Sequence, residues 1–255
     1  MKQSGLSRRS FLTRISAAGG AILLGGCDQL SQSPSFRDLL SRAEGVTQRL
    51  QRLVLTSRSL AREYQESDLS TNFKANGSTN VDEPAYQVHV SEGFSNWRLK
   101  IDGLVERPVE MSLAELRRLP SRTQITRHDC VEGWSAIGKW KGAELAPLLQ
   151  TVGLKPDARY LIFHCADSLA AGERYYESID LIDAFHPQTI LAYEMNDQAL
   201  TVPHGAPIRL RVERQLGYKQ AKYVMRIEAV SSFALIRGGM GGFWEDRGYE
   251  WYAGI

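Results

Sequence analysis

The chain has 255 residues, 43% of them apolar and 24% charged, with a net charge of +2. That length supports a full hydrophobic core, arranged as one large domain or two small ones. The near-neutral balance gives no electrostatic footprint for nucleic acid, three cysteines are too few for a disulfide framework, and no repeat of solenoid period is present.

The first predicted element is an address. Ser7-Arg8-Arg9-Ser10-Phe11-Leu12 resembles a twin-arginine export signal, and an uncharged run of apolar and small residues follows over 15–26. A basic start before a short apolar region is the layout of a signal peptide, and the run is shorter than the roughly 20 apolar residues of a bilayer span. Leu24-Gly25-Gly26-Cys27 resembles a bacterial lipobox, in which Cys27 becomes a lipid-modified N-terminus. The alternative is an ordinary small-residue cleavage site. Asp28 resembles the residue that keeps lipoproteins in the inner membrane. These features predict a signal over 1–27, twin-arginine export to the periplasmic side of the inner membrane, a lipid anchor, and a cofactor inserted before export.

Residues 28–70 are predicted as a helical extension. Phe36, Leu39, Leu40, Ala43, Val46, Leu50, Leu53 and Val54 recur at threes and fours, the spacing of one helix face, within a helical pattern over 36–66. Gly45 and the Ser57/Ser59 region are candidate breaks. Arg37, Arg42, Arg49 and Arg52 lie between the apolar positions. A basic face beside a lipid anchor can rest on anionic lipid, but such a face is more often solvated, and solvation is the expectation here.

Residues 72–84, rich in Asn, Gly, Ser and Thr, read as a long functional loop. A strand is expected over 97–101, closed by Asp102-Gly103. Ser112-Leu113-Ala114-Glu115 is a capping box opening a short helix that Pro120 ends. Further strands are expected over 123–127, 160–165, 189–195, 207–213 and 222–230, with Asn196-Asp197 as a turn and short helices over 143–151 and 179–184. Strands dominate and do not alternate regularly with helices, so the expected architecture is α+β with a mixed sheet. No GxGxxG or Walker pattern is present.

His128-Asp129-Cys130-Val131-Glu132-Gly133-Trp134-Ser135 places a cysteine at a strand end entering a Gly- and Trp-containing loop. A thiolate there suits a soft redox metal, with Arg127, His128 or Lys139 as the cation that favours its ionised form. Three other readings stand on chemistry alone. Cys130 could be a buried structural thiol, could join His128, His164 and Cys165 around zinc although paired ligand motifs are missing, or could form a disulfide with Cys165.

Taken together, the segments resemble the oxidoreductase molybdopterin-binding domain of the sulfite oxidase superfamily. Cys130-Val131-Glu132-Gly133-Trp134-Ser135 followed by Trp140 is similar to its metal-ligand motif. In order along the chain, 97–108 is similar to its opening strand, Pro203-His204-Gly205-Ala206-Pro207-Ile208-Arg209-Leu210 to a cofactor-binding turn, and Gly217-Tyr218-Lys219-Gln220-Ala221-Lys222-Tyr223 to the phosphate-side segment. Gly242-Phe243-Trp244-Glu245 and Arg247-Gly248-Tyr249 are similar to the family's terminal motif. The ordered set places the domain over 71–255, with the periplasmic methionine-sulfoxide reductases as the nearest branch.

The resemblance implies a molybdenum-molybdopterin cofactor with Cys130 as protein ligand. It implies Arg209 and Lys222 on the pterin and its phosphate, His204 where those reductases have asparagine, and Asn76 as the asparagine on the pterin. For Arg209 the competing reading is an outward residue on an alternating strand. Cys165 falls where the reductases have threonine and is expected in the core. The implied reaction is two-electron oxygen-atom transfer reducing an S- or N-oxide, small or protein-bound, such as methionine sulfoxide. The alternatives are a sulfite dehydrogenase and a non-catalytic envelope binding protein of the same fold. No C-x-x-C-H haem motif is present, so the implied redox partner is a separate protein, a membrane b-type cytochrome.

Overall fold

The computed structural model describes residues 33–56, 58–170 and 172–255. The expected signal and lipobox, with Cys27 and Asp28, lie outside the described residues. The chain divides into two compact units, Met1–Leu53 and Val54–Ile255.

In the first unit, helix α1 (Pro34–Val54) runs unbroken through Gly45. Val46, Leu50 and Leu53 on its apolar face are exposed. The helix ends at Val54 instead of reaching residue 66. The reason lies in the second unit, where the following backbone finds a sheet edge to pair with. Tyr64 N donates to Ile125 O at 2.9 Å and Ser70 N to Ile137 O at 3.1 Å, and Gln188 holds both the N–H and the carbonyl of Ala61. Among the described residues no helix is long and apolar enough to cross a membrane.

The second unit contains α2 (Pro84–Ser91), β1 (Arg98–Gly103), β2 (Val109–Ser112), α3 (Leu113–Leu116), β3 (Ser121–Cys130), β4 (Trp134–Glu144), α4 (Leu145–Val152), β5 (Tyr160–Ala170), β6 (Glu173–Asp180), α5 (Leu181–Ala184), β7 (Ile190–Met195), β8 (Gln198–Ala199), β9 (Arg209–Arg211) and β10 (Val224–Val230). One sheet has the order β2-β1-β10-β5-β6, the other β3-β4-β7-β8 with β9 on β7. The β1–β10 pair is parallel and the β10–β5 pair antiparallel, so the first sheet is mixed, as expected for the α+β class. Both sheets feed one large core, where Leu99, Phe163 and Ile227 of the first meet Leu191 and Leu210 of the second. Helix α4 buries Leu145, Leu148, Leu149 and Val152, the one-face spacing of an amphipathic helix. The capping box closes α3 in both directions: Ser112 Oγ accepts from Glu115 N at 3.2 Å, and Ser112 N donates to Glu115 Oε2 at 2.8 Å.

Two departures from the sequence expectation matter for the site. β3 extends to Cys130 and forms a long hairpin with β4, ending on the pair Cys130↔Trp134. β4 was not expected because glycines stand at 138 and 142 on the face it shares with Ala136 and Trp140, and glycine carries little strand signal. Within 207–213 only Arg209–Arg211 is strand, and all three residues are buried. The outward reading of Arg209 therefore fails: both faces of β9 are covered.

Gly142 shows how closely the hairpin packs. A Cβ at this position would lie 2.3 Å from Leu191 O and 2.5 Å from Ala192 Cα on β7. We expect Gly142→Ala to destabilise the fold by about 1–3 kcal/mol through forced strand separation, read as a lower urea midpoint at unchanged slope. A midpoint equal to wild type would show that the β4–β7 contact is loose.

Candidate active site

Six segments converge on a cavity of about 160 Å³. The 71–83 loop contributes Asn76 and Ser78, the hairpin Cys130, Val131 and Glu132, and the end of β5 Asp167 and Leu169. Tyr175 comes from β6, Tyr218, Gln220 and Lys222 from the segment before β10, and Trp244 and Tyr249 from the C-terminal segment. Cys130 is 8% exposed and its thiol is free. Burial pushes the thiol above its ordinary range; the Glu132 backbone N–H opposes this, the Glu132 carboxylate adds to it, and Lys74 lowers it.

The three cations expected to activate Cys130 are engaged elsewhere. Arg127 Nε donates to Asp129 at 2.9 Å. Lys139 Nζ lies 2.6 Å from Glu66 and 2.9 Å from Asp197. Burial, with Arg211 and Arg209 close by, drives His128 well below its ordinary value, so it is neutral. None of the three acts on the Cys130 thiol; the one cation that lowers it is Lys74.

Below the cavity lies an unusual concentration of buried charge. Arg211 is neutralised by Glu213, with Nη2 to Oε2 at 2.6 Å and Nε to Oε1 at 2.9 Å. Arg209 is equally buried but has only carbonyl partners, His204 O at 3.2 Å and Gln220 O at 3.4 Å, and its Nε finds no acceptor. The guanidinium carbons of Arg211 and Arg209 lie 4.3 and 5.1 Å from the Trp140 ring centre. Lys222 Nζ likewise donates only to carbonyls, of Asn76 at 2.7 Å, Pro203 at 2.9 Å and Ser78. Burial and the neighbouring guanidinium push Arg209 down to about 9 and Lys222 down to about 7. Buried charge without a counter-charge is costly; among the described residues no carboxylate forms an ion pair with either, and Glu213 and Asp167 act on Arg209 and Lys222 only from beyond that distance. Two buried acceptors on the cavity wall, Asn76 Oδ1 and Asp167 Oδ1, also have no donor. A group carrying a phosphate and an N–H edge satisfies both deficits.

The profile of the oxidoreductase molybdopterin binding domain matches residues 85–234. The chain belongs to this family. It is a molybdopterin-dependent oxidoreductase of the sulfite oxidase superfamily. It is 38% identical over 248 residues, 97% of this chain and 88% of the relative, to an Azospira oryzae protein provisionally named protein-methionine-sulfoxide reductase subunit YedZ1. It is 30% identical over 179 residues to the protein-methionine-sulfoxide reductase catalytic subunit MsrP of Campylobacter jejuni, covering 65% of this chain and 60% of that protein. In structure it is similar to the sulfane dehydrogenase SoxCD of Paracoccus pantotrophus, with a TM-score of 0.50 and 26% identity over 56% of this chain and 40% of that one.

Of the residues expected to serve the molybdopterin site, Asn76, Cys130 and Lys222 share the cavity wall and Arg209 adjoins it through Gln220. His204 is tied down beside it: Nε2 meets Phe73 O at 3.1 Å and Nδ1 meets Thr201 Oγ1 at 3.0 Å. Cys165 is a buried free thiol in the main core, so no disulfide joins it to Cys130. His164 pairs with Glu228 at 2.9 Å, and among the described residues no three His, Cys, Asp or Glu side chains converge as a metal cluster. The sequence reading missed Asp167 and Tyr175, and named Gln220, Trp244 and Tyr249 only within family motifs, without a role of their own. Tyr175 and Asp167 went unseen because β6, and the end of β5 before it, carried no clear alternation.

Lys222 gives a signed pH dependence. Its folded-state value, about 7, is below the ordinary lysine value of 10.5, so between them the unfolded chain holds the extra proton and stability rises with pH. We expect Lys222 to contribute a gain in stability of the cofactor-free chain as pH rises from about 7 to about 10, opposed by the buried proton on Glu177, whose raised value acts in the other direction. Lys222→Met should be more stable than wild type at neutral pH, lack this slope, and retain less pterin. Chemical denaturation across this range checks it, and an unchanged slope in Lys222→Met would remove Lys222 as the cause.

Proposed function

We propose that this protein is an exported, lipid-anchored sulfoxide reductase of the bacterial cell envelope, with Cys130 as the protein ligand to molybdenum. The observation that carries the reading is the character of the wall around the Cys130 thiol. Tyr175, Tyr218, Trp244 and Tyr249 form it with Val131 and Leu169, and among the described residues its one lining cation, Lys222, is committed to three backbone carbonyls. An aromatic and aliphatic wall suits a neutral, methyl-bearing sulfoxide, whereas a sulfite anion calls for cations around it. The names of the Azospira and Campylobacter relatives point the same way. The sulfite dehydrogenase alternative is correspondingly less favoured.

When bound, the molybdopterin centre supplies two-electron oxygen-atom transfer. In balance, a sulfoxide takes up two electrons and two protons and leaves as thioether and water. The chain's own residues bind and orient. Cys130 surrenders its thiol proton on ligation. Arg209 and Lys222 supply the positive field for the pterin phosphate, and Lys222 also fixes the loop at 76–78. Asn76 offers an acceptor to the pterin, and His204 holds the turn from which its carbonyl reaches Arg209. The aromatic wall excludes water from the reacting sulfur. Electrons arrive from a separate protein, a membrane b-type cytochrome. Residues 1–27 serve as the signal, 28–70 connect the anchored Cys27 to the domain, and 71–255 form that domain.

Turnover of methionine sulfoxide with a reduced dye tests this. We expect wild-type activity, loss of at least about a hundredfold in Cys130→Ser with the fold retained, and most activity kept in Cys165→Ser. Equal losses in both variants would return Cys130 to a structural role, and sulfite oxidation without sulfoxide reduction would favour the alternative enzyme.

A further inference from the structure

Behind the aromatic wall lies a second, sealed cluster. Lys219 Nζ is 2.5 Å from Glu177 Oε1 and 2.5 Å from Glu245 Oε1, and all three side chains are fully buried. Glu177 Oε1 also accepts from Ser178 N at 2.7 Å, while the second oxygens of both carboxyl groups have no donor. Gly242 is folded against the pair so tightly that a Cβ there would lie 2.0 Å from Glu245 Oε2 and 2.8 Å from Glu177 Oε1. Two carboxylates around one ammonium leave a net negative charge with no water to solvate it. One proton shared between the carboxyl groups removes that charge and supplies the missing donor.

The cluster is placed to control the wall. Each member sits on a segment that also presents a cavity aromatic. Tyr175 precedes Glu177 by two residues on β6, so both side chains fall on the same face. Tyr218 adjoins Lys219, and Trp244 adjoins Glu245. Trp244 stacks on Tyr249 at 5.3 Å, and Tyr249 meets Tyr218 edge-on at 5.2 Å. Glu177 is fixed by its strand and by Ser178 N, whereas Glu245 opens a single helical turn, Glu245–Arg247.

We propose that Glu177 and Glu245 share one carboxyl proton over Lys219, and that this neutral triad positions the Trp244–Tyr249 wall of the substrate cavity. When the proton is lost, repulsion between the carboxylates displaces the freer partner, Glu245, and Trp244 moves with it. These three are positioning residues and do not touch the reacting atoms. Burial and the charge of Glu245 raise Glu177 well above the carboxylate range. For Lys219, burial alone would lower its value, but the two carboxylates outweigh it and hold the ammonium charged. The groups facing the pair from neighbouring elements do not take over the titration. Burial keeps the Cys165 thiol and the Tyr175 phenol neutral. Tyr176 donates to Asp246, and the Trp251 ring centre lies 5.2 Å from Lys219 Nζ. Asp167 and Arg237 act from farther off, through their charge on Cys165.

The proposal rests on the sulfoxide-reductase reading only in the choice of assay substrate. The test uses wild-type, Glu177→Gln and Glu245→Gln holoenzymes from neutral to alkaline pH, with two readouts: KM and kcat for methionine sulfoxide, and the near-ultraviolet circular dichroism of the aromatic wall, which needs no turnover. For wild type we expect KM to rise about tenfold with little change in kcat, together with a change in the aromatic signal. Either glutamine keeps one carboxylate opposite Lys219 and supplies the shared hydrogen by its amide. Both variants should therefore match wild type at neutral pH and show neither alkaline change. A wild type without an aromatic transition, a glutamine variant that keeps it, or two glutamine variants that fail to fold would each overturn the proposal. If no sulfoxide is turned over, the aromatic signal alone decides.

Discussion

Two buried cations without carboxylate partners, Arg209 and Lys222, are the constraint around which this site is arranged. Among the described residues the other buried Arg and Lys side chains are neutralised: Glu213 grips Arg211, Asp183 holds Arg214 at 2.9 Å, and two glutamates surround Lys219. The exception lies beside a cavity whose own acceptors, Asn76 Oδ1 and Asp167 Oδ1, also lack donors. Deficits of opposite kind at one place are what a molybdopterin cofactor, anionic at its phosphate and donating along its pterin edge, would satisfy. The cofactor-free fold carries the cost of this preorganisation, and burial beside Arg209 pushes Lys222 below its ordinary value for the same reason.

The fold delivers the remaining chemistry to that point. The β3–β4 hairpin ends on Cys130, so the thiol is held by a sheet and not by a mobile loop. The aromatic side chains arrive from β6, the 217–222 segment and the C-terminal segment, which meet through the buried Lys219 triad. The buried cations, the thiol at the strand end and the aromatic wall therefore come from separate stretches of sequence, each positioned by its own packing.

Much of this was legible in the sequence, and the losses have physical causes. Periodicity located β1, β5, β7 and β10, and the Ser112–Glu115 box located α3, because these elements each bury one face. β4 was hidden by Gly138 and Gly142, whose value is close approach and not strand propensity. The helix over 36–66 was read too long because residues after Val54 pair with a sheet edge, a tertiary preference that local spacing does not report. Arg209 looked outward by alternation, since nothing local shows that β9 is covered on both faces. Of the cations expected near Cys130, Arg127 pairs with Asp129 and Lys139 with Glu66 and Asp197, while burial leaves His128 neutral. The roles expected of Cys130, Lys222 and Asn76 rest on family resemblance, Trp244 was visible only as part of a terminal motif, and Asp167 joined them only once the segments were brought together.

The central claim is that Cys130 supplies sulfur to molybdenum while the cations below hold the cofactor independently. X-ray absorption at the molybdenum edge of wild-type and Cys130→Ser holoprotein tests it most directly, with cofactor content measured on the same samples. The account predicts retained pterin and one sulfur scatterer fewer in the variant. An unchanged sulfur shell in Cys130→Ser would contradict it.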